Sequence, residues 1–211
     1  MEPVLPSRGR KGDAVARILT AATAVFSEAG FGGTRVDEIA RRAGVNKATI
    51  YYHIGGKETL YGEVIRSVIG NVAEKILAGV KEDQPPEEKM KTYIRSIIMT
   101  IENNPRMAPI MMRELASGGA HFPPVVGRDI ARIIGTLTDI LEEGVKKGIF
   151  ISTVPFILHM MVIGSLMFYR ASAPVRAKLE WIPEVVKQLS AGINEEVAGE
   201  IEKLILRAIS R

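Results

Sequence analysis

Apolar side chains recur along this chain at steps of three and four, and no segment alternates convincingly at a step of two. Val15, Ile18, Leu19, Ala22, Val25 and Phe26 form one side of a helix that opens near Asp13 and stops at Gly30. Leu60, Val64, Ile65, Val68, Val72, Ile76 and Leu77 keep the same period, which predicts a helix from Lys57 to the neighbourhood of Val80. Pro85-Pro86 then interrupts the chain, because a proline nitrogen has no hydrogen to give to a helix ladder. Beyond it, helices are predicted over 87–102, 105–116, 124–147, 153–171, 182–191 and 194–209, with Gly118-Gly119 and Gly148 as breaks. No internal repeat is visible. The fold class that follows is all-α, about nine or ten helices, with a small N-terminal head on a larger helical body.

The stretch from Thr34 to Tyr61, TRVDEIARRAGVNKATIYYHIGGKETLY, has a finer pattern. It reads as two helical segments hinged at a glycine. Ala40 lies on the buried side of the first, Gly44 follows where the chain must turn, and Ile50 faces back inward. A small residue lets two helices approach, glycine takes the positive φ of the turn, and a branched residue fills the gap. That spacing is what a helix-turn-helix requires. Thr34 with Asp37 resembles a capping box for the first segment, Asn46 is placed to cap the second, and Gly55-Gly56 ends it. The predicted organisation is a flexible basic arm over 1–12, a helix-turn-helix domain over 13–60 and a helical body over 61–211.

These residues resemble the DNA-binding region of the tetracycline-repressor (TetR) family of transcriptional regulators. The resemblance runs from the F-x-x-x-G-F of Phe26 to Phe31, through Thr34-x-Val36-Asp37-Glu38-Ile39-Ala40, Ala43-Gly44-Val45 and Thr49-Ile50-Tyr51-Tyr52, to Lys57-Glu58-x-Leu60. It covers roughly the first third of the chain; beyond that only length and helical layout are similar. Ile54 and Gly56 depart from the family pattern, in which an aromatic residue and a capping side chain are more usual.

A recognition helix enters the major groove with its first turns, so Lys47, Ala48, Thr49, Tyr51 and Tyr52 are the candidate DNA-contacting residues. The resemblance implies that Thr49 and Tyr51 lie near base edges and backbone and that Tyr52 gives its hydroxyl to a phosphate. Lys57 opens the next helix, whose free amides and dipole favour an anion. Thr34, Arg35, Arg41 and Arg42 are further candidates around the rim, and Arg8, Arg10 and Lys11 could reach a minor groove from the arm. Charge supports this placement modestly. Residues 1–60 carry nine Lys/Arg against six Asp/Glu, a net of +3, while 61–211 carry nineteen against eighteen, a net of +1.

Eight of the nine methionines lie beyond residue 89, which suits a body with an adaptable apolar cavity or simply a core filled by flexible side chains. The resemblance implies a body that binds an effector and forms a dimer. Met111, Arg113, Glu114, His121 and His159 are the candidate effector contacts, for an apolar small molecule. The segments 153–171 and 194–209 are the candidate homodimer helices. The first holds Gly164 and Ser165, and the second presents Val197, Ile201, Leu204, Ile205 and Ala208 as a stripe. Ile149 to Tyr169 holds no charged residue and has the length of a membrane span, but Pro155, Ser152, Thr153 and His159 favour a helix buried on all sides in a bundle or dimer.

Catalysis finds little support. There is no cysteine, only His53, His121 and His159, and no nucleophile elbow, zinc-helix motif or phosphate loop. No cofactor or metal is predicted. The absence of cysteine and of a secretory signal suits a cytoplasmic protein. The function expected is a sequence-specific DNA-binding regulator, a ligand-relieved repressor acting as a homodimer on a near-palindromic double-stranded operator. The alternatives are a helix-turn-helix regulator without an effector, or a membrane-associated helical protein.

Overall fold

The computed structural model describes residues 8–181, 183, 193 and 195–211. Ten helices are present among them: α1 Arg8–Gly33, α2 Val36–Ala43, α3 Lys47–His53, α4 Lys57–Gly79, α5 Pro86–Asn103, α6 Met107–Ala116, α7 Val126–Lys146, α8 Pro155–Ala171, α9 Ala173–Arg176 and α10 Glu195–Ile209. Residues 8–12, expected in the arm, continue α1, while 1–7 and the helix predicted over 182–191 lie outside the described residues. The four-residue α9 has no counterpart in the periodicity, being too short to show one. The described residues are all-α apart from one isolated antiparallel bridge between Phe150 and Ser210.

The chain divides into two units. The first comprises the residues up to Ser67 together with Pro109–Pro123; the second comprises Val68–Ala108 and Pro124–Arg211. In the first, α1 packs on α2 and α3. Ile18, Ala22, Val25 and Phe26 are buried, as are Ile39, Ala40 and Ala43 of α2, Ile50 of α3, and Leu60, Tyr61, Val64 and Ile65 of α4. Gly30 breaks α1 with φ 66° and ψ 179°, so residues beyond it form a separate short turn. Gly44 ends α2 in the left-handed region, φ 65° and ψ 39°. There the amides of Gly44 and Val45 return to the carbonyls of Arg41 and Ala40, closing the helix end.

In the second unit α5 packs against α7, α8 and α10, and α7 against α8. Its core contains Tyr93, Ile94, Ile97, Leu137, Ile140, Leu158, Val162, Leu166, Ile205 and Ile209. The bridge joins the α7–α8 connection to the chain's last residues: the Ile151 amide donates to the Ile209 carbonyl at 2.8 Å and the Arg211 amide to the Ile149 carbonyl at 3.0 Å. Phe150 is buried beside Gly144, where a Cβ would come within 2.0 Å of the ring, so only glycine fits.

The uncharged segment from Ile149 to Tyr169 therefore divides. Its first residues enter the bridge, and α8 has only 17 residues, short of the ~20 that span a bilayer, so a membrane span there is not supported. Nor is α8 buried all round in this chain. Leu158, His159, Val162 and Leu166 face inward, while Phe156, Ile157, Met160, Met161 and Phe168 are exposed.

Candidate nucleic-acid interface

Seven residues, Lys47–His53, make up α3, too few to be stable by propensity alone. One side chain, Ile50, is fully buried and anchors it. Its N-terminus is held by Asn46, whose Oδ1 accepts from the Thr49 amide at 2.7 Å and from the Thr49 hydroxyl at 2.8 Å. The capped end and the outer face are left to solvent. Lys47, Ala48, Tyr51 and Tyr52 are exposed, Tyr52 to 80%. The Tyr52 ring meets the neighbouring His53 ring edge-on at 4.9 Å, and most of its surface is left to solvent.

The cations around this face are held by carboxylates that a polyanion can displace. Lys47 Nζ lies 3.0 Å from Asp37 Oδ2, and this hydrogen bond raises the lysine's pKa, so the ammonium stays charged. Arg41 donates to both oxygens of Glu38. Arg42 reaches Glu38 Oε1 at 2.7 Å and makes a two-pronged contact with Glu28, at 2.8 Å to each oxygen. Hydrogen bonds from Arg41 and then Arg42 hold the Glu38 carboxyl down to about 2. Exposed pairs of this kind are screened by salt and contribute little to stability, so exchanging them for phosphates costs little. Arg35 is exposed; its carbonyl accepts from the Glu38 and Ile39 amides, and its side chain makes no cap to α2.

Thr34 departs from its predicted role. The capping position of α2 is Arg35, with no side-chain cap, and Thr34 is buried with its hydroxyl donated to the Gly30 carbonyl at 2.6 Å. The break at Gly30 brings that carbonyl within reach, so the capping box with Asp37 does not form. What the start of α2 offers an anion is its free backbone amides. Lys57 is the first residue of α4, as predicted, and its Nζ sits 4.5 Å from the centre of the Phe31 ring.

The predicted effector contacts fall in different places. Met111 is half-buried and, with Glu114, Leu115, Gly118, Gly119 and Phe122, lines a hollow of about 310 Å³ in the first unit. Arg113 instead turns its guanidinium to the carbonyls of Ser27 and Glu28 at the end of α1. His121 stacks on Phe31 with ring centres 3.7 Å apart. Glu114 is buried and accepts from the Tyr61 hydroxyl at 2.9 Å and the His121 amide at 2.6 Å. His159 belongs to the core of the second unit, its Nδ1 2.6 Å from the Tyr93 hydroxyl. Burial lowers the His159 pKa and raises that of Tyr93, so both partners of this hydrogen bond favour their neutral forms. No group of three or more potential ligands that could hold a metal ion occurs among the described residues. The partner Glu28 and the ring cluster around Phe31 were not foreseen. Phe31 stood in the F-x-x-x-G-F pattern, but nothing along the chain marks Glu28 as the companion of Arg42.

The profile of the bacterial regulatory proteins of the tetR family matches residues 18–64, the stretch that contains Thr34 through Lys57. That of tetracyclin repressor-like C-terminal domains matches 86–178. The HTH-type transcriptional regulator RutR of Escherichia coli strain K12 is 30% identical over 157 residues, 74% of each chain. This chain belongs to the TetR family of transcriptional regulators. Another relative, the HTH-type transcriptional repressor NicS of Pseudomonas putida, is 29% identical over 182 residues, 78% of this chain and 85% of its own. Among solved structures, a tetR-family regulatory protein from Rhodococcus RHA1 superposes with a TM-score of 0.74 at 20% identity, covering 97% of this chain and 98% of that one. The ketosteroid transcriptional regulator KstR2 of Mycobacterium tuberculosis gives 0.71 at 18%, covering 98% and 97%. These last two establish the TetR fold. As a member of the family, the protein is a helix-turn-helix DNA-binding transcriptional regulator.

Proposed function

We propose that this regulator is a ligand-relieved repressor that binds a near-palindromic operator as a homodimer, with α3 of each chain in the major groove. The observation that carries this reading is the outward face of α3. A helix capped by Asn46 and anchored by Ile50 has no reason within the chain to present Tyr51 and Tyr52 to water. In a groove, Ala48 allows close approach to a base methyl, Tyr51 and Thr49 reach base edges or backbone, and Tyr52 gives its hydroxyl to a phosphate. Thr49 would act from within its cap, with the lone pairs its hydroxyl retains. Lys47 leaves Asp37 for the DNA, Arg41 and Arg42 exchange carboxylates for phosphates, and Arg35, Lys57 and the first amides of α2 complete the rim.

Dimerisation is supported by α8. Phe156, Ile157, Met160, Met161 and Phe168 stand at i, i+1, i+4, i+5 and i+12, one continuous exposed side of the helix, and the position of a Cβ on Gly164 meets nothing within 4 Å. In α10 the stripe splits: Ile205 is buried, while Leu204 and Ala208 are exposed and available to the same interface. A twofold axis through these faces would set two recognition helices ~34–36 Å apart along the duplex. An effector would relieve repression by favouring a different spacing of the heads. The lining of the 310 Å³ hollow is consistent with a small apolar ligand.

Analytical ultracentrifugation of Ile157→Glu and Met161→Glu, each followed by a DNA titration, tests the assembly. The proposal requires both variants to be folded monomers that bind duplex DNA far more weakly than the dimeric parent. Parent protein that sediments as a monomer on and off DNA would contradict it.

A further inference from the structure

The chain past α6 is bent by Gly118 and Gly119, at φ 74° and φ 76°, conformations that side-chain-bearing residues resist. That bend brings the segment after α6 back toward its own helix. The Gly119 amide closes on the Glu114 carbonyl at 2.9 Å, and the His121 amide on the Glu114 carboxylate at 2.6 Å. Glu114 is itself fixed by Tyr61 of α4. The His121 backbone is thus tied through its amide to a carboxylate that is itself held in place, although the residue is exposed.

Its imidazole lies flat on Phe31, 3.7 Å between centres and 25° between planes. The Tyr61 ring meets the same phenyl edge-on, at 5.2 Å and 68°. Phe26 stacks on it as well, at 6.3 Å and 3°, so Phe31 is held by three rings, of which His121 is the nearest, and it is Phe31 that carries the Lys57 ammonium 4.5 Å from its centre. Cations are drawn to the electron-rich face of an aromatic ring, so where that ring sits determines where the ammonium sits. All these residues belong to the first unit.

We propose that His121 is a positioning residue for DNA binding: by stacking on Phe31 it fixes the platform that holds Lys57 toward a phosphate at the start of α4. This rests on the reading of Lys57 as a phosphate contact. His121 itself does not touch the DNA. It acts by sparing Lys57 the entropy of being ordered at the moment of binding.

The test is the affinity of the full chain for a mixed-sequence duplex, read by fluorescence anisotropy across a salt series. Such binding is dominated by phosphates, so no operator need be known. The variants are His121→Ala, His121→Phe, Lys57→Gln and the double variant His121→Ala/Lys57→Gln, with melting recorded for each. Lys57→Gln should weaken binding and flatten the salt slope by about 0.9, the value for one lost phosphate contact. His121→Ala should weaken binding about two- to fivefold, the range set by an exposed cation–ring contact. His121→Phe should restore it, and His121→Ala should add nothing once Lys57 is gone. Undiminished binding by His121→Ala beside a weakened Lys57→Gln overturns the inference and leaves the Lys57 reading standing. So does an equal loss from His121→Ala in both backgrounds, which would mean ordinary packing. An unaltered Lys57→Gln removes the reading itself, and the inference with it.

Discussion

Asn46→Ala removes the acceptor that holds the first turn of the recognition helix. Two hydrogen bonds go with it, 2.7 Å from the Thr49 amide and 2.8 Å from the Thr49 hydroxyl. Losing an N-cap costs about 1 kcal/mol, within a range of about 0.5–2 kcal/mol. In a long helix that loss is spread over many residues. Here the helix has seven residues and one buried side chain, so the loss falls on the docking of α3 through Ile50. If it appears as local opening, an α3 that was almost always closed becomes measurably open, and binding weakens by the fraction lost. If it appears globally, the melting midpoint falls by about 2–4 °C for a chain of this size. Hydrogen exchange at the α3 amides separates the two, and denaturant titration supplies the total. Asn46→Asp is the decisive companion, because aspartate caps as well as asparagine but puts a negative charge where DNA phosphates approach. It should keep the stability of the parent and lose DNA affinity, whereas Asn46→Ala loses both. Parental stability and α3 protection in Asn46→Ala would refute the reasoning that the cap holds the helix.

Gly144→Ala puts a methyl into the space of the buried Phe150 ring, with 2.0 Å to Cδ2, and should lower stability by about 1–3 kcal/mol or more in a urea titration. Phe150→Leu in the same chain should recover part of that loss. Gly44→Ala meets only Arg17 at an ordinary 3.4 Å, so its cost is the left-handed backbone, about 1–2 kcal/mol, again read by denaturation. Glu38 has a folded-state pKa of about 2 against an ordinary 4.5. Its contribution to stability is therefore present above pH 4.5 and is lost as pH falls through about 2. A carboxyl titration by NMR should show the low midpoint, and Glu38→Gln should abolish the acid-limb dependence that it causes.

The helix-turn-helix was legible because its determinants are local. A glycine at the turn after α2, where φ is 65°, an asparagine at a helix start and an isoleucine at the inward position each act within a few residues of where they stand. Thr34 shows where local reasoning stops: the break at Gly30 offers its hydroxyl a carbonyl before it can cap α2. Arg42 pairs with Glu28 fourteen residues away across two helices, and Arg113 reaches back to carbonyls of α1 more than eighty residues earlier. Such partners are set by packing and leave no period to read. The same holds for α10, where Leu204 and Ile205 are equally apolar and packing into the core of the second unit buries one and leaves the other exposed.

The most direct test of the account is a selection of bound duplexes from random DNA by the parent protein and by Tyr52→Ala at one fixed salt concentration. The account predicts that the parent enriches a near-palindrome whose half-sites are centred about one duplex turn apart, and that Tyr52→Ala enriches it weakly or not at all. Retention of DNA without sequence preference, or equal enrichment by Tyr52→Ala, would contradict the claim that the outward face of α3 reads an operator.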